Sequence, residues 1–289
     1  MKNKSNNRNT WLNEYIDNVS YGLKGEIIIE KKSDFQKITI FESIKYGKTL
    51  LLDGCFMTSE KQERSYHEAI VHPALCGAET IENVLIIGGG DGGTARECLR
   101  YSEVQEVHLI EIDEDVVNIC KEYLPEIGSK AWTDKRLKLI INDGIKWVSK
   151  AKPYSYDVII VDGSDPKGPS EGLFNKSFFE NCKRILKPNG IFATQSESPE
   201  SFLEIHVDII KTIRSVFRFA DPLYGFVPIY PSGWWSWTFG SNDCKRYLKP
   251  IEKRVNEIEE YTEIWSKDWQ EASFKTIPNF LKKRFKNDK

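Results

Sequence analysis

After Gly77 the chain alternates short, mostly apolar runs with amphipathic helical stretches, and this alternation limits the possible folds more than any other feature. The runs lie at 84–87, 107–112, 137–141, 158–161 and 191–194, with helices expected around 93–100, 115–123, 145–150, 176–186 and 201–216. A run that is apolar at every position suits a strand covered on both faces, and repeated strand–helix–strand crossovers lead to a parallel, doubly wound sheet. Two later apolar runs, 226–229 and 234–239, flank Tyr230-Pro-Ser-Gly233 and predict a final antiparallel pair. Ahead of Gly77 the texture differs. Ile27-Ile-Ile29, Ile38-Thr-Ile-Phe41 and Thr49-Leu-Leu-Leu52 read as strands, Asp53-Gly54 as a tight turn into Cys55-Phe-Met-Thr58, and 65–75 as a helix. The expectation is an α/β protein in two parts, a small antiparallel β domain over 1–75 and a mostly parallel domain over 76–289.

In an open parallel sheet, ligands bind beyond the carboxyl ends of the strands, and in this chain those positions are acidic. The first strand runs into Gly88-Gly89-Gly90-Asp91-Gly92-Gly93. A glycine loop opening a helix favours anions through its backbone N–H groups and the helix dipole, so Asp91 inside it points to a ligand that is cationic nearby. The spacing departs from the dinucleotide fingerprint and Asp91 would repel a pyrophosphate, which argues against NAD. Glu111, about 20 residues on, is placed to accept from ribose hydroxyls or is a solvated strand end. Asp143, before Gly144, is placed for an adenine amino group or caps a helix. Asp162 and Asp165 follow the fourth run in a loop rich in Gly, Pro and Ser, from 164 to 174, that reads as a gate. Together these acids suit an adenosine moiety beside a polycationic small molecule.

The remaining composition narrows the partners. With 41 basic and 43 acidic side chains there is no charge footprint for nucleic acid or an anionic membrane, and the basic tail at 282–289 reads as a solvated end. No stretch approaches the roughly 20 apolar residues of a membrane span, and the polar start at 1–10 lacks a signal-peptide core, so a cytoplasmic protein is expected. Six cysteines stand singly and read as buried free thiols. His67 and His72, five apart, do not share a helical face, so no metal is expected. Trp234, Trp235 and Trp237 read as sheet packing with one ring available to cap a ligand. Trp265 and Trp269, four apart, read as a helix docking on the core.

Ser65-Tyr-His-Glu68, the loop from Val84 to Gly93, Glu111-Ile-Asp113, Asp143-Gly144, Asp162-Gly-Ser-Asp-Pro166 with Gly168-Pro169, and Tyr230-Pro-Ser-Gly233 resemble, in order and spacing, the polyamine aminopropyltransferases, and among them the spermidine synthases. The match runs from about Trp11 to Phe280. The resemblance implies a methyltransferase-like Rossmann domain behind the β domain, no cofactor or metal, and a homodimer or homotetramer. It implies transfer of an aminopropyl group from decarboxylated S-adenosylmethionine, a co-substrate, to putrescine, giving spermidine and methylthioadenosine. Asp162 matches the catalytic aspartate with Tyr66 beside the attacking amine. Gln36, Asp91, Glu111, Asp143, Gly144 and Pro169 match the donor site. His67, Asp165, Gln195 and Tyr230, with Asp91 between the two sites, match the acceptor channel, and Trp11 its far end. Gly163 and Lys167 depart from the common pattern, and Lys167 is read as pointing to solvent. Other acceptors (agmatine, cadaverine, spermidine) and a putrescine N-methyltransferase using S-adenosylmethionine share these motifs and stay open. An aliphatic amine titrates near 10.4, so supplying it neutral at pH 7 costs on the order of 4–5 kcal/mol, the work expected of Asp162.

Overall fold

The computed structural model describes residues 10–286; the polar N-terminal stretch up to residue 9 and the last three residues of the basic tail lie outside them. Five antiparallel strands, β1 (Thr10–Ile16), β2 (Val19–Lys32), β3 (Lys37–Ser43), β4 (Gly47–Leu52) and β5 (Cys55–Ser59), form one sheet in sequential order. Asp53 and Gly54 both take positive φ in the β4–β5 hairpin, as that turn requires. Helix α1 (Arg64–Gly77) leads into the second unit.

There the elements are β6 (Asn83–Gly88), α2 (Gly93–Leu99), β7 (Glu106–Glu111), α3 (Glu114–Tyr123), the single turn α4 (Pro125–Gly128), β8 (Leu137–Ile141), α5 (Gly144–Lys150), β9 (Tyr156–Asp162), α6 (Lys176–Ile185), β10 (Leu186–Gln195), α7 (Leu203–Val216), β11 (Phe219–Phe226) and β12 (Trp234–Ser241). Three short helices follow, α8 (Glu252–Ile258), α9 (Lys267–Lys275) and α10 (Asn279–Lys286). The strand order is β11-β12-β10-β9-β6-β7-β8, parallel from β10 to β8, with β12 antiparallel to both its neighbours. This is a doubly wound, Rossmann-like sheet. The order reverses between β6 and β9, the crevice where such sheets bind ligands.

Each face of the sheet is covered. Val84, Ile86 and Ile160 pack with α1 residues such as Ile70 and Ala74, while Leu85, Ile159 and Val161 pack with Phe178, Phe179 and Ile213 of α6 and α7. A third cluster joins the two units: Ile38, Ile40 and Leu50 of the first sheet meet Val116, Ile119 and Cys120 of α3. This seam holds the first sheet over the mouth of the β6–β9 crevice. Helix α1 packs in the core of the second sheet. Among the described residues no helix is long and apolar enough to cross a membrane. All six cysteines are free, four of them buried.

Two expectations change, and one strand is new. The last pair is β11 with β12, and 227–233 is turn, closed by Val227 N–H to the Gly233 carbonyl and Tyr230 N–H to the Val227 carbonyl. Pro222 obscured β11; it is tolerated because β11 is an edge strand with one free side. Trp265 and Trp269 do not share a helix: Ser266 caps α9 by accepting from Trp269 N–H, and Trp265 lies just before it, buried. Strand β1, with polar and apolar residues mixed on both faces, carried no period that would reveal it.

Candidate active site

The β6–β9 register places Gly88 opposite Asp162. Gly88 has φ +81, and a Cβ there would stand 2.2 Å from the Asp162 main-chain oxygen, which also accepts from Gly89 N–H at 2.9 Å. Only glycine allows the loop to fold this closely over the neighbouring strand. The result is a cleft above the sheet, lined by the loop, Gln36, Met57, Tyr66, Glu111, Asp143, Gly144, Pro169 and Tyr230 among others.

Asp91 Oδ1 accepts from Gly93 N–H at 2.9 Å, while Oδ2 lies 3.2 Å from His67 Nε2. The other ring nitrogen of His67 is 2.6 Å from Glu63 Oε2, and Glu63 is gripped through both oxygens by Arg96 at 2.9 and 2.8 Å. Burial opposes charge on His67, but Asp91 and then Glu63 more than offset it and hold the imidazole well above its usual pKa. Burial likewise opposes charge on Asp91, and His67 reverses this, keeping the carboxyl below its usual range. His67, expected in the acceptor channel, therefore stands beside Asp91 with both nitrogens taken.

Asp162 Oδ2 accepts from Thr94 Oγ1 at 2.6 Å, and the Tyr66 hydroxyl donates to the same carboxylate. Burial raises the Asp162 pKa and Asp91 raises it further, a suitable bias for a proton acceptor. Burial and then Asp162 push the Tyr66 phenol well above its ordinary value, so it remains a donor. Its ring packs edge-on against Tyr230 and Trp237, and Tyr230 is fixed by donating to the Met57 carbonyl at 2.8 Å.

On the opposite side of the loop, Glu111 is 8 % exposed and accepts from Asp113 N–H at 2.9 Å. Burial raises it to about 7. Gln36, from the first sheet, donates to Asp113 Oδ2 at 3.0 Å across the seam. Asp143 caps α5, accepting from Ile145 and Lys146 N–H groups, and also lines the cleft. A Cβ on Gly144 would meet Ile87 at 2.4 Å, so this cap sits directly against β6.

A second, smaller cavity shares Tyr66, Met57, Gly163, Ser164 and Tyr230 with the first and continues to Asp165, Gln195, Cys55, Glu14 and Trp235. Glu14 accepts from Phe56 N–H at 2.8 Å, and burial raises it to about 7. Glu197 is 1 % exposed at φ +65, bonded to Gln195 at 3.3 Å; burial and then Asp165 hold it well above the usual carboxylate range. Lys167 is largely exposed, 3.9 Å from Asp165 and over the Phe202 ring. Trp11, expected at the far end, is 60 % exposed, and Glu14 of the same strand lines the cavity in its place. Sequence reading missed Glu14 because β1 itself was not visible, whereas Glu197 was distinguished only by standing two residues after Gln195. The loop over the cavity is ordered as 3-10 turns at Gly168–Phe174, with Ser164 and Ser170 hydroxyls 2.7 Å apart.

Two triads bring three metal-type ligand atoms within 4.8 Å of one another, His67–Asp91–Asp162 and Glu14–Cys55–Asp165. Neither suits a cation such as zinc: both His67 nitrogens are held by carboxylates, and burial pushes the Cys55 thiol to about 12. Both suit ammonium groups.

Residues 63–249 match the family model described as spermine/spermidine synthase domain, and residues 10–60 match the spermidine synthase tetramerisation domain. A polyamine aminopropyltransferase of Prochlorococcus marinus (strain MIT 9313) is 55 % identical over 98 % of this chain and 99 % of its own length. Another, from Prochlorococcus marinus (strain NATL1A), is 56 % identical over 98 % of this chain and 98 % of its own length. Among solved structures, a spermidine synthase in complex with the transition state analogue AdoDATO aligns with TM-score 0.92 and 34 % identity over 96 % of this chain and 95 % of that one. The spermidine synthase from Thermotoga maritima aligns with TM-score 0.90 and 33 % identity over 96 % and 94 %.

Proposed function

The chain belongs to the spermine/spermidine synthase family of polyamine aminopropyltransferases, and from that premise we propose that it moves the aminopropyl group of decarboxylated S-adenosylmethionine to putrescine. The observation that carries this reading is the line of carboxylates running from Asp91 through Asp162 to Asp165 and Glu14 across two joined cavities, with the buried Glu197 near Asp165. It suits a donor bearing one amine and an acceptor bearing two. In this reading Glu111 takes the ribose, Asp143 and Gly144 the adenine, with Gln36 and Pro169 closing the nucleoside side, and Asp91 the donor amine. The donor's sulfonium is already an activated leaving group. The protein's task is to hold a neutral amine in line with the carbon under attack. Asp162 accepts the amine proton, Tyr66 orients the lone pair, and Asp165, Glu197 and Gln195 keep the distal ammonium fixed, with Tyr230 walling the channel. No cofactor or metal takes part. The enzyme works in the cytoplasm as a homodimer or homotetramer, a reading supported by the match of 10–60 and by the exposed Trp11, Tyr15 and Val19 of β1 and β2.

Asp91 argues against methyl transfer, because the carboxylate of S-adenosylmethionine would meet it. Product analysis with both sulfonium donors against putrescine, cadaverine, agmatine and spermidine tests the reading. Spermidine from putrescine and the decarboxylated donor is the expected product, and methylated putrescine in its place would overturn it.

Glu111 gives a second test. Its folded pKa of about 7 stands above the ordinary 4.5, so the cost of its charge is absent below pH 4.5, grows as pH rises, and is complete above 7. That cost is on the order of 3 kcal/mol. Glu111→Gln is expected to raise the melting temperature of the ligand-free protein at pH 8 and to weaken methylthioadenosine binding. Unchanged melting together with unchanged binding would remove Glu111 from the ribose site.

A further inference from the structure

The proposed roles leave unexplained how two carboxylates, Asp91 and Asp162, stand ionised together in a buried cleft, and why so many charges lie behind them. His67 is the common neighbour: its ligating atom and those of Asp91 and Asp162 lie within 4.8 Å of one another. The ring rests on Gly93, where a Cβ would come 2.3 Å from it, so the first residue of α2 must be bare for the histidine to fit. Glu63, four residues earlier and one helical turn away, takes the far nitrogen at 2.6 Å and is locked bidentately by Arg96. The groups facing His67 are thus Glu63 at the N-cap of α1, Tyr66 from α1, Asp91 from the glycine loop and Asp162 from β9, with Arg96 of α2 behind Glu63.

We infer that Glu63 and His67 are positioning residues for the donor amine: Glu63 fixes the imidazolium so that its Nε2–H donates to Asp91, and that cation allows Asp91 and Asp162 to stay ionised side by side. A bound donor ammonium then meets Asp91 already oriented, and the proton acceptor Asp162 remains unprotonated at neutral pH. This inference deepens the proposed function and rests on its reading of Asp91.

Glu63→Gln supplies the test, with donor kinetics, methylthioadenosine affinity, the pH profile of kcat/KM and thermal melting measured on one preparation. A neutral partner for His67 removes the cation. The KM for the amine-bearing donor is expected to rise about tenfold, the size expected for a weakened charge-assisted hydrogen bond, while methylthioadenosine affinity holds within about twofold. The acidic limb of kcat/KM should move to higher pH, since Asp162 then feels Asp91 unscreened, and His67→Gln should move it in the same direction. In the wild-type protein, imidazole 15N shifts should report both His67 nitrogens protonated at pH 8, a readout that needs no variant to fold. A lower melting temperature with donor KM and pH limb unchanged, or one bare nitrogen at pH 8, would overturn the inference. Donor affinity lost in Asp91→Asn and retained in Glu63→Gln overturns it alone; affinity retained in both overturns the reading of Asp91.

Discussion

Asp162→Asn is expected to remove most turnover while methylthioadenosine binding stays within a few-fold of wild type. A positioned general base contributes about 10²–10⁴-fold, and here the base must offset the cost of baring an amine that is protonated at pH 7. The asparagine keeps the size of the side chain and an oxygen for the Thr94 hydroxyl, now 2.6 Å from Oδ2, so the β9 terminus and the loop folded over it have no reason to move. What is lost is the only function an amide cannot supply, acceptance of a proton. Single-turnover rates with saturating donor and acceptor isolate the chemical step, and calorimetry with methylthioadenosine reads the nucleoside site. A rate within threefold of wild type would remove Asp162 as base and turn attention to a solvent path past Tyr66.

The second sheet was legible because its strands are buried on both faces. Val84 to Ile87 are all but inaccessible, so apolar identity alone marks them, and the glycines that end the run are required by the approach to Asp162. The acid-lined cleft followed from the same rule, since acids placed just past strand ends have only the crevice to face. Edges were harder to read. Strand β1 is paired on one side and mixed in polarity, so neither it nor Glu14 left a signal, and the acid that closes the second cavity came from the part of the chain with least pattern. Pro222 hid β11 for the complementary reason, being harmless only on an edge. The direction His67 takes was not legible either, because a motif gives position along the chain and not orientation. The spacing of Glu63 and His67, four apart on a helix, was the available clue that the ring turns toward a carboxylate.

Asp91→Asn is expected to weaken the amine-bearing donor by about 10–100-fold, the range for losing a hydrogen bond to a charged group, and to leave methylthioadenosine nearly unaffected. The two ligands share ribose and adenine and differ by the aminopropyl group and the sulfonium charge that it brings, so their comparison cancels any effect on the nucleoside. Loop shape is also controlled for, because Oδ1, which accepts from Gly93 N–H, survives in asparagine. The carboxylate charge does not survive, and with it goes the largest influence that holds His67 above its usual pKa. Attraction for the donor ammonium at that end of the cleft is lost. The same change relaxes the exclusion of S-adenosylmethionine, whose carboxylate no longer meets a like charge. The ratio of affinities for the two sulfonium ligands should therefore contract from both sides. Equal losses for the decarboxylated donor and methylthioadenosine would show that Asp91 only shapes the loop, and donor choice would then have to lie elsewhere in the cleft.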